Sequence, residues 1–397
     1  MIGSLFKLLV CTVVTVFLFF QTSSAVFASD GGIQTAGKTV TSAEQLASVS
    51  APSYILIEMR TATVLYEKNA DLTVYQSHLA KLMTLLLLAE KIDSGETVKT
   101  DTFTVTDRAN AQNDPQIWLD KGEKIIVDEL IKAITVGNAN DAAVTIAENV
   151  CRSENEFVSA MNTLAARINM EHSHYADSTG VSKDNLTTAR DLSKLCTELS
   201  KYDFLTSYFK TWLVNVRSGK AELVNSNRLV RNYKGITGMK ACSSKDAGSC
   251  GCVTADKGGL ELCAVVLGCA DNDKRDEDIK KLLKCGAEDF QMYSPQVPKE
   301  LLQSIPVTHG EKLECEVEAE REPLVVIKRG TAGQLKAESN REQLLEAPVK
   351  QGQVCAVYSL YDDKKCVFTV NIVSANSVRK MNWKCALKKL LYNLIKL

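Results

Sequence analysis

The sequence predicts an α/β fold, an antiparallel sheet with a helical insertion, followed by a small all-β domain and a terminal amphipathic helix. Two strand-like runs, 54–58 and 63–66, form a predicted hairpin, and three more follow at 235–241, 250–255 and 260–267. Between these two groups the apolar residues recur at helical spacing, so strands bracket a mostly helical segment. This order is typical of a sheet that packs against its own helical insertion.

The first 28 residues have the pattern of a secretory signal peptide. Lys7 precedes an apolar run from Leu8 to Phe20, and small residues lead to a cleavage position after Ala28. Because the run is too short to span a bilayer comfortably, we expect export and cleavage rather than a membrane span. Residues 29–50 are rich in Gly, Ser and Thr and are predicted to form a linker.

The net charge argues against one class of partner, and the composition indicates where the two domains meet. A net charge of −1 over 397 residues argues against nucleic acid as the main partner. A composition shift at 293–298 predicts a boundary between a domain at 51–292 and a small β-rich domain at 293–376. The strand-like runs of the second domain are 324–328, 354–360 and 366–370.

A long apolar run from Leu82 to Ala89 gives a strong helical signal. It contains four consecutive leucines and neither Gly nor Pro, so we expect a helix buried on nearly all sides. Two polar residues, His78 and Lys81, stand three positions apart at its start. That spacing places both on one helical face. The pattern therefore predicts a pair of reactive groups that face a cleft.

The segment from Glu67 through Ser77-His-Leu-Ala-Lys81-Leu-Met-Thr84 resembles the active-site segment of the serine-type D-Ala-D-Ala carboxypeptidases, the low-molecular-weight penicillin-binding proteins. In that family the helix carries Ser-x-x-Lys, whose Ser is the nucleophile and whose Lys accepts its proton. Lys81 keeps its place, whereas His78 occupies the nucleophile position. The resemblance extends from about residue 54 to the C terminus and implies a penicillin-binding-protein/β-lactamase-like transpeptidase domain.

A second family motif is present in altered form. Asn138-Ala-Asn140-Asp-Ala matches the family's Ser-Ala-Asn-Asp-Ala except at its first position, where the family's Ser relays a proton. The resemblance implies that Asn140 holds the lysine and the substrate backbone. Asn138 cannot relay a proton as a hydroxyl does.

The third motif lies on a predicted strand. Gly235-Ile-Thr-Gly-Met-Lys240 matches the start of the family's Gly-x-x-Gly-Leu-Lys-Thr-Gly, but Ala241 and Cys242 replace its Thr and Gly. The resemblance implies that Lys240 binds the terminal carboxylate of the substrate, and that the backbone amides of His78 and Ser243 form the oxyanion hole. A cysteine in place of the glycine is expected to crowd the strand edge.

These departures predict a loss of serine acyl transfer, which needs a hydroxyl that is deprotonated beside backbone N–H donors. We therefore expect a pseudoenzyme that binds the D-Ala-D-Ala end of peptidoglycan stem peptides or another cell-wall partner. An active carboxypeptidase with Ser77 as a shifted nucleophile is the alternative, although one step along a helix rotates a side chain by about 100°. A structural protein with a vestigial cleft is the third interpretation.

No cofactor and no metal are expected. His172 and His174 are two residues apart, which suits a strand or loop but not one helical face. Export permits disulfides, and a turn at 256–259 predicts that Cys252 lies opposite Cys263 within bonding reach. Free buried thiols are the alternative.

The last stretch, 377–397, predicts an amphipathic membrane-anchor helix. Most of the lysines lie away from five apolar residues that recur at three- and four-residue steps: Trp383, Leu387, Leu390, Leu394 and Leu397. Apolar burial and attraction to anionic headgroups are what an interfacial helix requires. We expect an exported protein bound peripherally at the extracytoplasmic face of the bacterial cytoplasmic membrane. Packing of this helix on its own domain or on a partner is the alternative.

Overall fold

The computed structural model of the chain describes residues 41–387. The expected signal peptide lies outside the described residues, as do linker residues 29–40 and anchor residues 388–397. The last part of the predicted linker, from residue 42, is folded against the first domain. Residues 42–47 form a short helix, and the backbone amides of Ser50 and Ala51 donate to the carboxylate of Asp278 at 3.0 and 2.9 Å. These bonds dock the segment on the first domain.

The first domain combines one main sheet with several helices and short two-stranded ribbons. Its helices are α1 (Ser42–Ala47), α2 (Lys81–Asp93), α3 (Asp107–Asn110), α4 (Val127–Thr135), α5 (Asn140–Val150), α6 (Glu154–Arg167), α7 (Ala189–Ser200), α8 (Asp203–Phe209), α9 (Leu229–Asn232) and α10 (Asn272–Asp289). Its strands are β1 (Ser53–Glu58), β2 (Thr63–Lys68), β3 (Val74–Tyr75), β4 (Thr102–Thr104), β5 (Lys124–Ile126), β6 (Leu186–Thr187), β7 (Leu213–Val216), β8 (Ala221–Val224), β9 (Ile236–Ser244), β10 (Gly248–Lys257) and β11 (Leu260–Cys269).

The central sheet has five strands in the order β2-β1-β11-β10-β9, all antiparallel. The predicted hairpin and the predicted three-strand meander are therefore joined through the β1–β11 pair. One face of the sheet packs against the helical insertion, and the other face packs against α10 through Ile279, Leu282 and Leu283. Strand β9 forms one edge, and this edge borders the candidate site. The predicted antiparallel sheet with a helical insertion is confirmed.

Helix α2 is the predicted core helix. Every residue from Lys81 to Ala89 is buried, and helices α5 and α7 contribute side chains to the same core. A helix that is apolar on all sides can be accommodated only where other elements surround it. This burial fixes the position of Lys81 at the start of α2.

The predicted disulfide between Cys252 and Cys263 is wrong. Lys257 pairs with Leu260 around a two-glycine turn in which both glycines have positive φ. This register places Cys252 opposite Val265, two positions away from Cys263, and both thiols are free.

The C-terminal domain is built from β-strands, as predicted. They are β12 (Phe290–Tyr293), β13 (Ile305–Thr308), β14 (Glu314–Cys315), β15 (Val317–Ala319), β16 (Val325–Lys328), β17 (Lys336–Arg341), β18 (Leu345–Glu346), β19 (Val354–Asp362) and β20 (Lys365–Ser374). The expected boundary at 292/293 falls inside β12, which pairs with β16. Val378 is buried and bridges to Val349, so the β domain also extends into the predicted anchor.

Only the start of the predicted anchor is described. Residues 383–387 are helical, and Trp383 is 71% exposed while Leu387 is 49% exposed. Leu390, Leu394 and Leu397 lie outside the described residues. Within residues 41–387, no helix has both the length and the apolar composition that a bilayer crossing needs.

Candidate active site

The predicted pair at the start of α2 is brought together by a 3₁₀ turn, Ser77–Ala80, that runs directly into the helix. The Lys81 Nζ lies 3.1 Å from Nδ1 of His78, 2.6 Å from Oδ1 of Asn140 and 2.6 Å from the carbonyl oxygen of Thr179. We call this group, Lys81 with His78, Asn140 and Thr179, the lysine node. A protonated lysine has only donors, so in that state of Lys81 the contact requires a neutral imidazole that accepts at Nδ1.

The electrostatics of the lysine node keep His78 neutral. Burial lowers the pKa of His78 to about 3, and the positive charges of Lys81 and Lys240 act in the same direction. Burial also lowers the pKa of Lys81 well below its usual range, with further repulsion from Lys240. A neutral imidazole thus stands where serine acyl transfer requires a hydroxyl.

Asn140 is the first residue of α5, and hydrogen bonds to the loop at 113–115 hold it in place. Its backbone amide donates to the Pro115 carbonyl at 2.6 Å, and its Nδ2 donates to the Asn113 carbonyl at 2.8 Å. These bonds orient Oδ1 toward Lys81. The contact that the sequence predicted between Asn140 and the lysine is present.

Within the described residues, Asn138 is not hydrogen-bonded to the lysines between which a relay would pass a proton. It has a positive φ of 59°, and its Nδ2 donates to the Ser226 hydroxyl at 2.8 Å. Its Oδ1 is buried and has no hydrogen-bond partner among the described residues. In the described part of the chain, no hydrogen bond joins Asn138 to Lys81 or Lys240.

Lys240 lies on β9 but points into the protein. It is 1% exposed, and its Nζ donates to the carbonyl oxygen of Ile134 at 2.5 Å. Burial lowers the pKa of Lys240 to about 7. Among residues 41–387, no carboxylate forms an ion pair with Lys240 or Lys81. Two buried ammonium groups therefore lack a direct counter-charge.

Cys242 and Ser243 follow Lys240 along the same strand, and residues 240–243 are called the strand edge. Ser243 is exposed, whereas Cys242 is buried. Burial raises the pKa of the Cys242 thiol, and Lys240, Arg275, Lys81 and the Leu79 backbone amide oppose that rise. Cys242 belongs to the core on the helical face of the sheet, and the expected crowding of a ligand at the strand edge stays a prediction.

Ser77 is fully buried and has a positive φ of 51°. Its side chain forms no hydrogen bond with Lys81, whose described partners are His78, Asn140 and Thr179. The proposed role of Ser77 as a shifted nucleophile therefore has no support in the geometry.

Several groups of the site were not predicted from sequence. Asp177 accepts hydrogen bonds from the backbone amides of Thr179, Gly180 and Ser182 at 2.8, 2.5 and 2.6 Å, and so shapes the loop that supplies a ligand to Lys81. In the sequence, Asp177-Ser-Thr-Gly180 has only the composition of a turn, which assigns no role to Asp177. The Ile134 carbonyl has no side-chain signature at all, so sequence reasoning could not find it.

The histidines outside the lysine node do not form a metal centre with their surroundings. His174 bridges to Leu186 through its backbone, and its partner in the sequence motif, His172, donates its backbone amide to Asp191. Within residues 41–387, no group of three or more His, Cys, Asp or Glu side chains is placed to hold a metal ion.

The fold and the lysine node define a transpeptidase-like domain with an imidazole at the nucleophile position. The sequence profile described as D-alanyl-D-alanine carboxypeptidase matches residues 38–271, and that of the penicillin-binding protein 5 C-terminal domain matches 290–380. The chain therefore belongs to the D-alanyl-D-alanine carboxypeptidase family, the low-molecular-weight penicillin-binding proteins of peptidoglycan metabolism.

Individual relatives cover most of the chain. It is 27% identical to the D-alanyl-D-alanine carboxypeptidase DacF of Bacillus subtilis over 344 residues, which are 85% of this chain and 88% of the relative. It is 29% identical to DacC of Escherichia coli over 316 residues, 77% of this chain and 79% of the relative.

Solved structures give the same fold. Penicillin-binding protein 5 of Haemophilus influenzae superimposes with a TM-score of 0.77 at 22% identity, covering 84% of this chain and 98% of that one. Penicillin-binding protein D2 of Listeria monocytogenes, in its ampicillin-bound form, has a TM-score of 0.53 at 26% identity, covering 60% and 98%.

Proposed function

We propose that this chain is a non-hydrolytic member of its family that binds the D-Ala-D-Ala end of peptidoglycan stem peptides without forming an acyl-enzyme. The observation that carries the proposal is His78, whose Nδ1 lies 3.1 Å from Lys81 at the nucleophile position. An imidazole there has no hydroxyl to deprotonate, and an acyl-imidazole is unstable to water. Lys81 is consequently a binding and structural group rather than a proton acceptor for a nucleophile.

The charge of the site favours an anionic ligand. Lys81 and Lys240 are both buried, and an ammonium group buried without a counter-charge is costly. A ligand carboxylate near them would compensate both charges and raise the depressed pKa of each. The C-terminal carboxylate of a stem peptide supplies such a charge.

The strand edge favours an extended ligand. β9 is the outer strand of the central sheet, and an edge strand can pair with an added peptide strand. The Ala241 carbonyl at this edge already accepts from the Ser226 hydroxyl at 2.6 Å, so such pairing would have to use other backbone groups of β9. Ser243 is exposed at this edge. Carboxylate binding at the lysines and backbone pairing along β9 together describe a peptide with a free C terminus, and a cell-wall partner that presents such an end would bind in the same way.

The test is calorimetric titration of the full-length protein with a peptide that ends in D-Ala-D-Ala and with its C-terminally amidated form. We expect binding of the acid and at least a tenfold weaker binding of the amide, because the amide lacks the charge that the lysines attract. Lys240→Met is expected to remove this preference, whereas Lys91→Met, at a surface lysine paired with Glu96, should preserve it. Equal binding of acid and amide, or no binding, would leave the vestigial-cleft interpretation.

We also propose that the chain is exported and bound peripherally to the membrane through its C-terminal helix. The exposed Trp383 and Leu387 begin the apolar face that the sequence predicts. Since Val378 belongs to the β domain, a clean truncation removes 383–397 and leaves that domain complete. This variant should no longer sediment with anionic vesicles; unchanged sedimentation would assign the helix another role.

A further inference from the structure

Two cysteines face one another across the strands at the edge of the central sheet. Cys242 of β9 is the Cα partner of Cys250 of β10, and both side chains belong to the core on the helical face. Directly opposite residues have Cβ atoms about 4.5–5.5 Å apart, near the roughly 3.5–4.5 Å that a disulfide spans. Both thiols are free. A small closure of the strand pair is enough to join them.

All five strands of the central sheet lie within the described residues. Among these described strands, Cys242 and Cys250 are the only two cysteines that are Cα partners. Cys252 pairs with Lys240 and Val265, and Cys263 pairs with Thr254 and Ile57. The Cα-partner geometry therefore selects Cys242 and Cys250 from the cluster of thiols on this face.

The surroundings of the two sulfurs differ. The Cys250 thiol donates to the Ala247 carbonyl at 3.4 Å and accepts from the Gly268 amide at 3.4 Å. Cys242 lies on the edge strand, close to the positive charges of Lys240 and Arg275. Burial raises the pKa of both thiols, and because β9 is the outer strand of the sheet, a local opening of β9 exposes Cys242 to an oxidant first.

We propose that Cys242 and Cys250 are an oxidative modification site that forms a reversible cross-strand disulfide, with a small-molecule disulfide as the oxidant. The Cys242 thiolate attacks one sulfur of the oxidant, breaks its S–S bond and releases one thiolate. The Cys250 thiolate then attacks the Cys242 sulfur, releases the second thiolate and completes the new bond. The two cysteine protons pass to the two released thiols, and the oxidant gains the two electrons that the cysteines lose.

This bond changes the edge of the candidate site. In the reduced chain the Cys242 sulfur is free and buried in the core, on the strand that borders the candidate site. The disulfide fixes that sulfur against β10 instead. The proposal concerns the sheet itself and stands whether or not the site binds a peptide.

The test is to incubate the folded full-length protein with oxidised glutathione, alkylate it under denaturing conditions and digest it with trypsin. Lys245 lies between the two cysteines, so the disulfide joins peptides 241–245 and 246–257 in a product that reduction removes. We expect this product from the wild type. Cys250→Ser is expected to lose it and to retain a mixed glutathione disulfide on Cys242.

Peptide 246–257 also carries Cys252, so Cys252→Ser is the matched control and should form the link unchanged. The incubation is repeated in sub-denaturing urea, which allows an edge strand to open locally. Free Cys242 and Cys250 under both conditions would overturn the proposal. A link that survives in Cys250→Ser, or a disulfide that forms between other cysteines of the chain in its place, would overturn it as well.

Discussion

The lysine node and the strand edge differ in how completely their polar groups are paired. At the node, Nζ of Lys81 has three partners within hydrogen-bond distance. At the strand edge, Lys240 reaches a single backbone carbonyl, and the neighbouring Asn138 keeps a buried oxygen without a partner in the described part of the chain. The comparison teaches that a family site can keep the contacts that hold its lysine while it loses the hydroxyls that react.

The largest expected effect is at Gly180, in the loop that covers the lysine node. Its φ is +83°, and a Cβ there would overlap the backbone carbonyl of Ser77, which cannot move aside as a flexible side chain would. Gly180→Ala is expected to lower the free energy of unfolding by more than about 3 kcal/mol. Gly95→Ala, with φ +76° but open space around it, should cost only about 1–2 kcal/mol. Urea denaturation measures both, and equal losses would show that the node is loosely packed.

A pH titration of stability tests the strand edge. Because burial lowers the pKa of Lys240 to about 7, the unfolded chain binds more protons than the folded chain between pH 7 and roughly 10.4. The free energy of unfolding attributable to Lys240 therefore rises with pH across that window and is constant below it. Lys240→Met should be more stable than the wild type by a few kcal/mol at pH 6, and this difference should vanish toward pH 10.

The measurement is urea denaturation at several pH values, with Lys91→Met as the exposed control. Lys91 forms a surface ion pair with Glu96, and such pairs contribute about 0–1 kcal/mol. A pH-independent difference between Lys240→Met and the wild type would contradict the assignment of Lys240 as a buried, uncompensated cation.

Substitutions of two asparagines, Asn140 at the lysine node and Asn138 near the strand edge, allow a direct comparison of the two regions. Asn140→Ala removes a partner of the buried Lys81 ammonium and should cost about 2–3 kcal/mol of unfolding free energy. Asn138→Gly removes an unpaired oxygen and relieves a positive φ, so its effect should stay within about 1 kcal/mol. Thermal or urea denaturation compares them, and a larger loss at Asn138 would reverse the ranking of the two regions.

The smallest effect is expected from restoring one catalytic group. Groups that act as a unit are strongly non-additive, so His78→Ser alone should give at most slow acylation by a β-lactam. Adding Asn138→Ser, Ala241→Thr and Cys242→Gly should give clearly faster acylation, followed with one fluorescent penicillin. If the single variant reacts as fast as the fourfold variant, the other departures are tolerated variation. If neither reacts although both fold, the cleft is closed.

Local patterns predicted the scaffold better than the site. The apolar run from Leu82 to Ala89 predicted a helix buried on nearly all sides, and it formed as the core of α2. The register of β10 and β11 was mispredicted because the turn residues are Gly258 and Gly259, and a shift of one pair moves every cross-strand contact. The burial of Lys240 could not be predicted, since its acceptor is a backbone carbonyl from a distant helix.

The central claim is that His78 removes acyl transfer, and one measurement tests it most directly. The full-length protein is incubated with a fluorescent penicillin, and its intact mass and in-gel fluorescence are recorded, with a β-lactam-reactive family member as positive control. We predict an unmodified mass and no retained fluorescence. A stoichiometric covalent adduct on the wild-type chain would contradict it, and an adduct that maps to Ser77 would replace it with the shifted-nucleophile mechanism.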